Sequence, residues 1–261
     1  MSAGHKENPR DNTCQTGPAV FFSNPLMSDI ESDWSPIHDA AFNGRILTLR
    51  SLIAQVNSPT VDGKTALSEA CARGHVTCVS LLLQHGATPM GTSQSSSPMH
   101  RAAAKGHPEC IETLVQHGAD VDQHIDQSGS PLHMACSNQH PSTARKLLQL
   151  GASVNSSVSG DSPLHIAARL SSPELVSVLL DHGADRSLRN SEGKQPLDLA
   201  PPSSLAERLL GQAGGASRLM QLCRLYIRKI VGKERLDWIR DLHLPTELKK
   251  YLLYQSDQGG H

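Results

Sequence analysis

Histidine and cysteine are the residues of this sequence that could do chemistry: it contains 14 histidines and six cysteines. Histidine serves as a general base, a proton shuttle or a metal ligand, and a cysteine thiolate serves as a nucleophile or a zinc ligand. Four of the histidines, His38, His100, His133 and His165, stand at the same place in a repeated segment. One residue type repeated at one structural position argues against a single active site. We expect these imidazoles to hydrogen-bond around helix caps instead.

The cysteines show no pattern that predicts a reactive site. They stand at positions 14, 71, 78, 110, 136 and 223, without a CxxC pair and without the spacing of a disulfide framework or a zinc site. We interpret them as small buried residues in a reducing compartment. The sequence also lacks a Gly-rich phosphate loop, an HExxH motif and a nucleophile elbow. It therefore predicts no catalytic residue of its own, no metal site and no cofactor.

A repeated core organises the middle of the chain. The copies read SPIHDAA (35–41), TALSEAC (65–71), SPMHRAA (97–103), SPLHMAC (130–136), SPLHIAA (162–168) and QPLDLAP (195–201). A period of about 33 residues with a T-P-L-H-x-A core resembles the ankyrin repeat. The resemblance implies about six stacked units, each made of two antiparallel helices and a projecting hairpin.

Local rules explain the residues of each copy. Ser or Thr before Pro predicts a helix N-cap followed by proline at the first helical position, and the Ala pair keeps that helix thin. Leucine-rich stretches at 81–83, 114–115, 147–148 and 179–180 predict the second helix. Gly-Ala pairs at 86–87, 118–119, 151–152 and 183–184 predict its left-handed cap. The first unit lacks this pair, so we expect a tightened or distorted connection over 56–66, and Ala200-Pro201-Pro202 predicts an early end to the last unit.

The C-terminal region predicts an amphipathic, cationic helix. Apolar residues recur every three or four positions between 218 and 232. Residues 218–250 hold nine Lys or Arg against four Asp or Glu, although the whole chain has a net charge of −1. Such a helix could meet a membrane, a nucleic acid, its own domain or another protein. Acids interrupt the basic run and no aromatic stacking platform accompanies it, which disfavours membrane or nucleic-acid binding. The sequence has no membrane-spanning run and no hydrophobic signal core, which predicts a soluble, cytoplasmic protein.

Two motifs in this region resemble known interaction boxes. Leu219-Met-Gln-Leu-Cys223-Arg-Leu-Tyr-Ile227 resembles the elongin-C-binding BC box, and residues 242–252 resemble a cullin-5 box. Together they resemble a SOCS box, and repeats followed by this box resemble the ankyrin repeat and SOCS box family. Two positions depart from the pattern: Arg218 precedes the box leucine where Ser, Thr or Pro is usual, and Glu247 replaces the second proline of the cullin box. The second departure could weaken cullin contact.

The family resemblance implies fold, function and site residues. It implies an all-α-dominated fold, an ankyrin-repeat solenoid with a C-terminal three-helix SOCS box. The domains would be a disordered or partly ordered segment (1–33), repeats (34–212), the box (217–255) and a tail (256–261). The function would be that of a non-catalytic substrate-recognition adaptor of a cullin-5 RING E3 ubiquitin ligase. Elongin C would contact Leu219, Leu222, Cys223 and Ile227. Cullin-5 would contact Leu242, Leu244, Pro245, Leu248, Tyr251 and Leu252.

The substrate and its binding surface are less specified. Partners of ankyrin-like arrays bind the concave face, which makes these positions candidates: Asp39, Asn43, Glu69, Arg73, Arg101, Lys105, Met134, Asn138, Ile166 and Arg169. The apolar cluster 21–27, with Phe21 and Phe22, would be either a lid on the first repeat or part of the substrate grip, and we favour the grip because a polar spacer follows it. Resemblance of 23–36 and 217–229 to one family member implies a creatine kinase as substrate. The alternative function is a passive ankyrin scaffold without ligase coupling.

Overall fold

The computed structural model describes residues 35–211 and 223–254, apart from residues 92, 94, 225, 229, 233, 234 and 237. These residues belong to one compact unit. The helices of the repeats are α1 Pro36–Phe42, α2 Ile46–Ser51, α3 Ala66–Arg73, α4 Val76–Gln84, α5 Pro98–Lys105, α6 Pro108–Gln116, α7 Pro131–Ser137, α8 Pro141–Gln149, α9 Pro163–Arg169, α10 Pro173–Asp181, α11 Pro196–Leu199 and α12 Leu205–Gly211. The C-terminal helices are α13 (223–231), α14 Trp238–Asp241 and α15 Thr246–Leu252.

Each odd-numbered helix from α1 to α11 begins at the repeated core. Ser35, Ser97, Ser130 and Ser162 are N-caps with proline at the first helical position, which confirms the predicted starts. The second copy uses Thr65 instead, and its hydroxyl accepts a hydrogen bond from the backbone N–H of Ser68 at 3.1 Å. Proline tolerates this position because the first N–H groups of a helix have no partner within the helix.

The helices stack in two rows. The first helices of successive units contact one another from α1 through α3, α5, α7 and α9 to α11, and the second helices form a parallel row behind them. Paired alanines in the first helices, such as Ala102 and Ala103, are fully buried, because small side chains let neighbouring helices approach closely. One apolar core runs through all the units. A solenoid of this kind is stabilised by the contacts between neighbours.

The connections between units are turns rather than strands. Within the described ranges the hairpins are reduced to single antiparallel bridges, between Ile125 and Gly129 and between Val158 and Asp161. The Gly-Ala pairs after the second helices behave as predicted, since Gly86, Gly118 and Gly183 have φ between +84° and +87°. This left-handed conformation is available to glycine at low cost and ends the helix.

Irregularities occur at the two ends of the repeats. Helix α2 has six residues where α4 has nine, and a 3-10 turn at Ile53–Gln55 follows it. The distortion predicted for the first unit therefore begins in the second helix itself, before the connection. At the other end α11 has only four residues, as Ala200-Pro201-Pro202 predicted.

The three C-terminal helices form a small core of their own. It contains Leu236, Ile239, Leu252 and Leu253, with Val231 and Leu244 packed against it. Four buried residues are too few to stabilise an independent domain, so this group depends on what lies beside it. Among the described helices none is both long enough and apolar enough to cross a membrane.

Candidate functional site

The repeated histidines have structural hydrogen bonds. In three copies a serine hydroxyl donates to Nδ1 and Nε2 donates to a backbone carbonyl of the following turn: His38 (2.8 Å from Ser35, 3.1 Å to Lys64), His100 (2.9 Å from Ser97, 2.9 Å to Gly129) and His165 (2.8 Å from Ser162, 3.1 Å to Lys194). A carbonyl oxygen only accepts, so Nε2 must carry the proton. Burial lowers the pKa of His38 and His100. These three imidazoles tie the starts of α1, α5 and α9 to the following turns, as predicted. In the fourth copy Ser130 bonds Nδ1 of His133 at 2.8 Å, while the buried Nε2 of His133 has no partner among the described residues.

A second row of histidines was missed by the sequence analysis. His75, His107 and His140 precede the second helices, and their Nε2 atoms donate to carbonyls of the preceding unit: Phe42 (3.0 Å), Ala72 (3.2 Å) and Ala104 (3.1 Å). The rings lie against glycines of that preceding unit. The Gly-His dipeptides at 74–75 and 106–107 repeat with the unit, and this signal could have revealed the row.

The predicted substrate-binding positions on α3 and α5 carry paired and unpaired cations. Arg101 donates to Glu69 at 2.8 Å, and the Glu69 side chain is only 2% exposed. The negative charge of Glu69 is therefore compensated by an arginine of the neighbouring repeat. Arg73 lies over the Phe42 ring, 3.6 Å from its centroid. Lys105 is exposed, and no ion pair to it occurs among the described residues.

One cleft brings several of the predicted substrate residues together. It lies between α5 and α7, has a volume of about 320 Å³, and is lined by Arg101, Lys105, Met134 and Asn138 among others. The remaining candidates are not part of this cleft. Asp39 accepts from Arg45 and Asn43, at 3.2 and 2.7 Å, and these three lie at the first unit.

Two other candidates lie further along the repeats. Arg169 pairs with Asp161, and Ile166 is half-buried. The predicted residues Phe21 and Phe22 lie outside the described part of the chain. The described candidates therefore divide into a central group on α3, α5 and α7 and one pair each at α1 and α9.

The predicted elongin-binding helix, α13, has one exposed apolar face. Cys223 is exposed, and Tyr226, Ile227 and Ile230 are 67%, 38% and 61% exposed. Positions 223, 226, 227 and 230 lie on one side of a helix because they are three or four residues apart. Leu219 and Leu222 lie outside the described residues.

The residues predicted to contact cullin divide into two groups. Leu242 and Leu248 are 47% and 40% exposed, and Pro245 is also exposed. Leu244 is half-buried and packs against the small core, while Leu252 is 2% exposed within it. Tyr251 lies under the guanidinium of Arg224, whose Cζ is 3.5 Å from the ring centroid. The motif contains both surface residues and residues that hold the surface in place, and its spacing alone did not separate them.

Comparison with known proteins agrees with both parts of this architecture. A family described as ankyrin repeats (3 copies) matches residues 21–93, 37–125, 89–158 and 132–212, and the SOCS box family matches 216–253. Ankyrin repeat and SOCS box protein 9 of Mus musculus is 44% identical over 270 residues, covering 90% of this chain and 93% of its own. The chain belongs to the ankyrin repeat and SOCS box family.

Further members of the family show the same likeness. Ankyrin repeat and SOCS box protein 11 of Danio rerio is 40% identical over 88% of this chain and 90% of its own length. The crystal structure of the human ASB11 ankyrin repeat domain aligns with a TM-score of 0.51 and 37% identity, covering 70% of this chain and 99% of that one. The predicted fold class, an ankyrin solenoid followed by a SOCS box, is confirmed.

In this family member the SOCS box packs against the repeats through aromatic and guanidinium groups. Tyr254, just after α15, stacks on His182 at the end of α10, with ring centroids 3.8 Å apart and an angle of 28°. Arg224 of α13 lies over the rings of Tyr251 and Tyr254, with its Cζ 3.5 and 4.2 Å from their centroids. Gln149 at the end of α8 donates to the Tyr254 carbonyl at 3.2 Å. Burial lowers the pKa of His182 to about 4, so this histidine is neutral near the cationic Arg224.

Proposed function

We propose that this chain is the substrate-recognition adaptor of a cullin-5 RING E3 ubiquitin ligase. Its ankyrin repeats hold a protein substrate, and its SOCS box recruits elongins B and C and cullin-5 with its RING partner. The chain catalyses nothing itself. One observation carries the proposal: α13 presents Cys223, Tyr226, Ile227 and Ile230 outward, while its other side is anchored inside the molecule.

An exposed apolar face on an anchored helix suits insertion into a hydrophobic groove. Peptide helices recognised in this way use residues three and four positions apart as anchors. Burial of each large apolar side chain contributes roughly 1.5–3 kcal/mol. Elongin C is the partner we assign, because positions 219–227 match the BC-box pattern.

The alternative of a basic helix for membranes or nucleic acids loses support from the structure. Arg228 is only 9% exposed, and Arg224 is half-buried over two tyrosines. Cations that bind phosphates must reach them from the surface. These two arginines face the interior of the chain instead.

The deciding experiment measures binding of purified elongin B/C to the full chain by calorimetry. Ile227→Asp places a charge on the exposed face without disturbing a core, and Leu47→Asp is the matched control because Leu47 is 85% exposed on the repeats. We expect Ile227→Asp to weaken binding at least about 30-fold, the effect of an interface hot spot. The control should bind as the wild type does. Equal binding by all three proteins would leave the passive scaffold as the better interpretation.

Cullin recruitment and substrate are tested on the resulting complex. We expect Leu242→Asp with Leu248→Asp to weaken capture of cullin-5 and its RING partner while elongin binding stays unchanged, because both side chains are exposed.

A creatine kinase is the substrate we propose to test for ubiquitination in the reconstituted ligase. Lys105→Glu reverses the charge at one position of the cleft between α5 and α7 and should reduce ubiquitin transfer to creatine kinase. Transfer that does not depend on this chain would exclude creatine kinase as its substrate.

A further inference from the structure

Arg228 connects three helices through backbone carbonyls. It lies on α13; its Nη1 donates to the carbonyl of Leu252 at 2.9 Å, and its Nη2 donates to the carbonyls of Leu148 and Gln149, at 3.1 and 2.9 Å. Leu252 is the last residue of α15, and Leu148 and Gln149 are the last two of α8. One guanidinium therefore caps a helix of the SOCS box and a helix of the fourth repeat at once.

This arrangement matches the chemistry of helix ends. The last carbonyls of a helix have no N–H partner within it, and the helix dipole places partial negative charge there. A guanidinium offers five donors in a fixed planar fork, so it can serve several carbonyls together. No carboxylate pairs with Arg228 in the part of the chain that the structure describes. Burial lowers its pKa, and the two helix ends offset the cost of desolvating the cation.

Arg228 shares this junction with a second contact. Arg224 lies one helical turn earlier on α13 and covers Tyr254, which stacks on His182 of the fifth repeat. The SOCS box is therefore held by two successive repeats, at the ends of α8 and α10. Two separate contacts fix the orientation of the SOCS box relative to the repeats, whereas a single contact would let the box rotate about it.

The anchored and exposed sides of α13 are separate. Positions 224 and 228 lie on one face of the helix, and 223, 226, 227 and 230 lie around the other. The exposed side is therefore available to a partner while the anchored side remains bound to the repeats.

We infer that Arg228 is a positioning residue: it clamps the SOCS box to the fourth repeat and so fixes the direction in which α13 presents its elongin-binding face relative to the concave face. The inference rests on the proposed function for the identity of the partner, but the clamp itself is a property of the free chain. Its role is to make substrate and ligase approach each other in one geometry instead of many.

The test measures the distance between repeats and SOCS box in the full chain. Genetically encoded spin labels replace Gln84, at the end of α4, and Thr246, at the start of α15, because both positions are exposed. We expect one narrow distance distribution in the wild type and a distribution about twice as wide in Arg228→Ala, because the box then pivots about the contacts that Tyr254 keeps with the repeats. Arg228→Lys should also widen it, since an ammonium lacks the planar fork. Arg235→Ala, which removes an exposed arginine of the same box, is the control and should leave the distribution narrow.

A second variant separates loss of the clamp from unfolding of the box. His182→Ala removes the stacking partner from the repeat side and leaves every residue of the box in place, so it should widen the distribution too. Elongin binding is measured on the same proteins. A widened distribution with wild-type elongin affinity supports the clamp. A distribution that stays narrow in Arg228→Ala overturns it, whatever elongin does. Failure of the wild type to bind elongin overturns the proposed function but not the clamp, because the distances are measured without elongin.

Discussion

The repeats and the SOCS box are both built from short helices, but they bury these helices differently. Leucines of the second helices in the repeats, among them Leu114, Leu147 and Leu179, are completely buried between neighbouring units. In the SOCS box, α13 leaves Tyr226 and Ile230 more than half exposed. A repeat is completed by the next repeat of the same chain, whereas the box has an apolar face that no residue of the described part of the chain covers. The difference indicates where a partner belongs.

Both regions are also joined by hydrogen bonds from a side-chain N–H to a backbone carbonyl, but the donor group differs. Between repeats, imidazoles such as His107 and His140 donate to a carbonyl of the preceding unit. Between box and repeats, the guanidinium of Arg228 donates to carbonyls at two helix ends. A neutral imidazole is cheaper to bury than a cation, which suits a contact that recurs many times. The cation occurs where one residue must hold two separate elements together.

Acid should produce the largest effect, and it acts on one histidine inside the repeats and on one at their junction with the SOCS box. Burial lowers the pKa of His133, in the repeats, and of His182, beside the SOCS box, to about 4. The unfolded chain binds these protons near pH 6.5 and the folded chain does not, so the free energy of unfolding falls as pH drops from 6.5 to 4. Linkage gives a loss on the order of 3 kcal/mol for each histidine. Below pH 4 this contribution changes no further.

Urea unfolding at pH 7, 5.5 and 4 measures this loss. His133→Gln and His182→Gln each remove one titrating group, so each variant should lose less stability than the wild type over the same interval. The two variants compare a histidine inside the repeats with one at their junction with the SOCS box. A pH dependence that neither substitution reduces would show that these histidines titrate normally in the folded chain.

Truncation of one apolar residue in each region should give the next largest effect. Leu147→Ala empties a fully buried position between repeats and should lower the free energy of unfolding by about 2–5 kcal/mol. Ile227→Ala shortens a side chain that is 38% exposed in the free protein, so we expect a loss well under half of that. Denaturant unfolding of the free chain measures both. Similar losses of unfolding free energy would contradict the distinction between a position buried between repeats and an exposed position on α13.

Much of the fold could be predicted from the sequence because it depends on short-range rules. The Ser-Pro starts, the Gly-Ala caps and the early stop at Ala200-Pro201-Pro202 each follow from backbone chemistry over a few residues. The 33-residue period then places the units side by side.

The junction and the division of the cullin motif could not be predicted in the same way. Arg228 and Leu148 are 80 residues apart in sequence, and nothing in either neighbourhood specifies the other. Leu248 and Leu252 both fit an apolar stripe, yet one is 40% exposed and the other 2%. A stripe predicts which residues avoid water, whereas the packing of three helices decides which of them another element of the same chain covers.

The smallest expected effect concerns how tightly the repeats approach one another. Gly106 and Gly118 both have left-handed backbones, with φ of +79° and +86°. Substitution by alanine should therefore cost each of them roughly 1 kcal/mol in backbone strain. A Cβ at Gly106 would also lie 2.7 Å from Nδ1 of His140, in the row that joins the units, whereas a Cβ at Gly118 would meet nothing within 4 Å. We expect Gly106→Ala to lose about 1–2 kcal/mol more than Gly118→Ala, because the ring must shift from its hydrogen bond to Ala104. Thermal unfolding of the two variants measures the difference, which isolates the steric contribution since both share the strained backbone. Equal melting temperatures would show that the imidazole moves aside freely and that its hydrogen bond does not hold the repeats together.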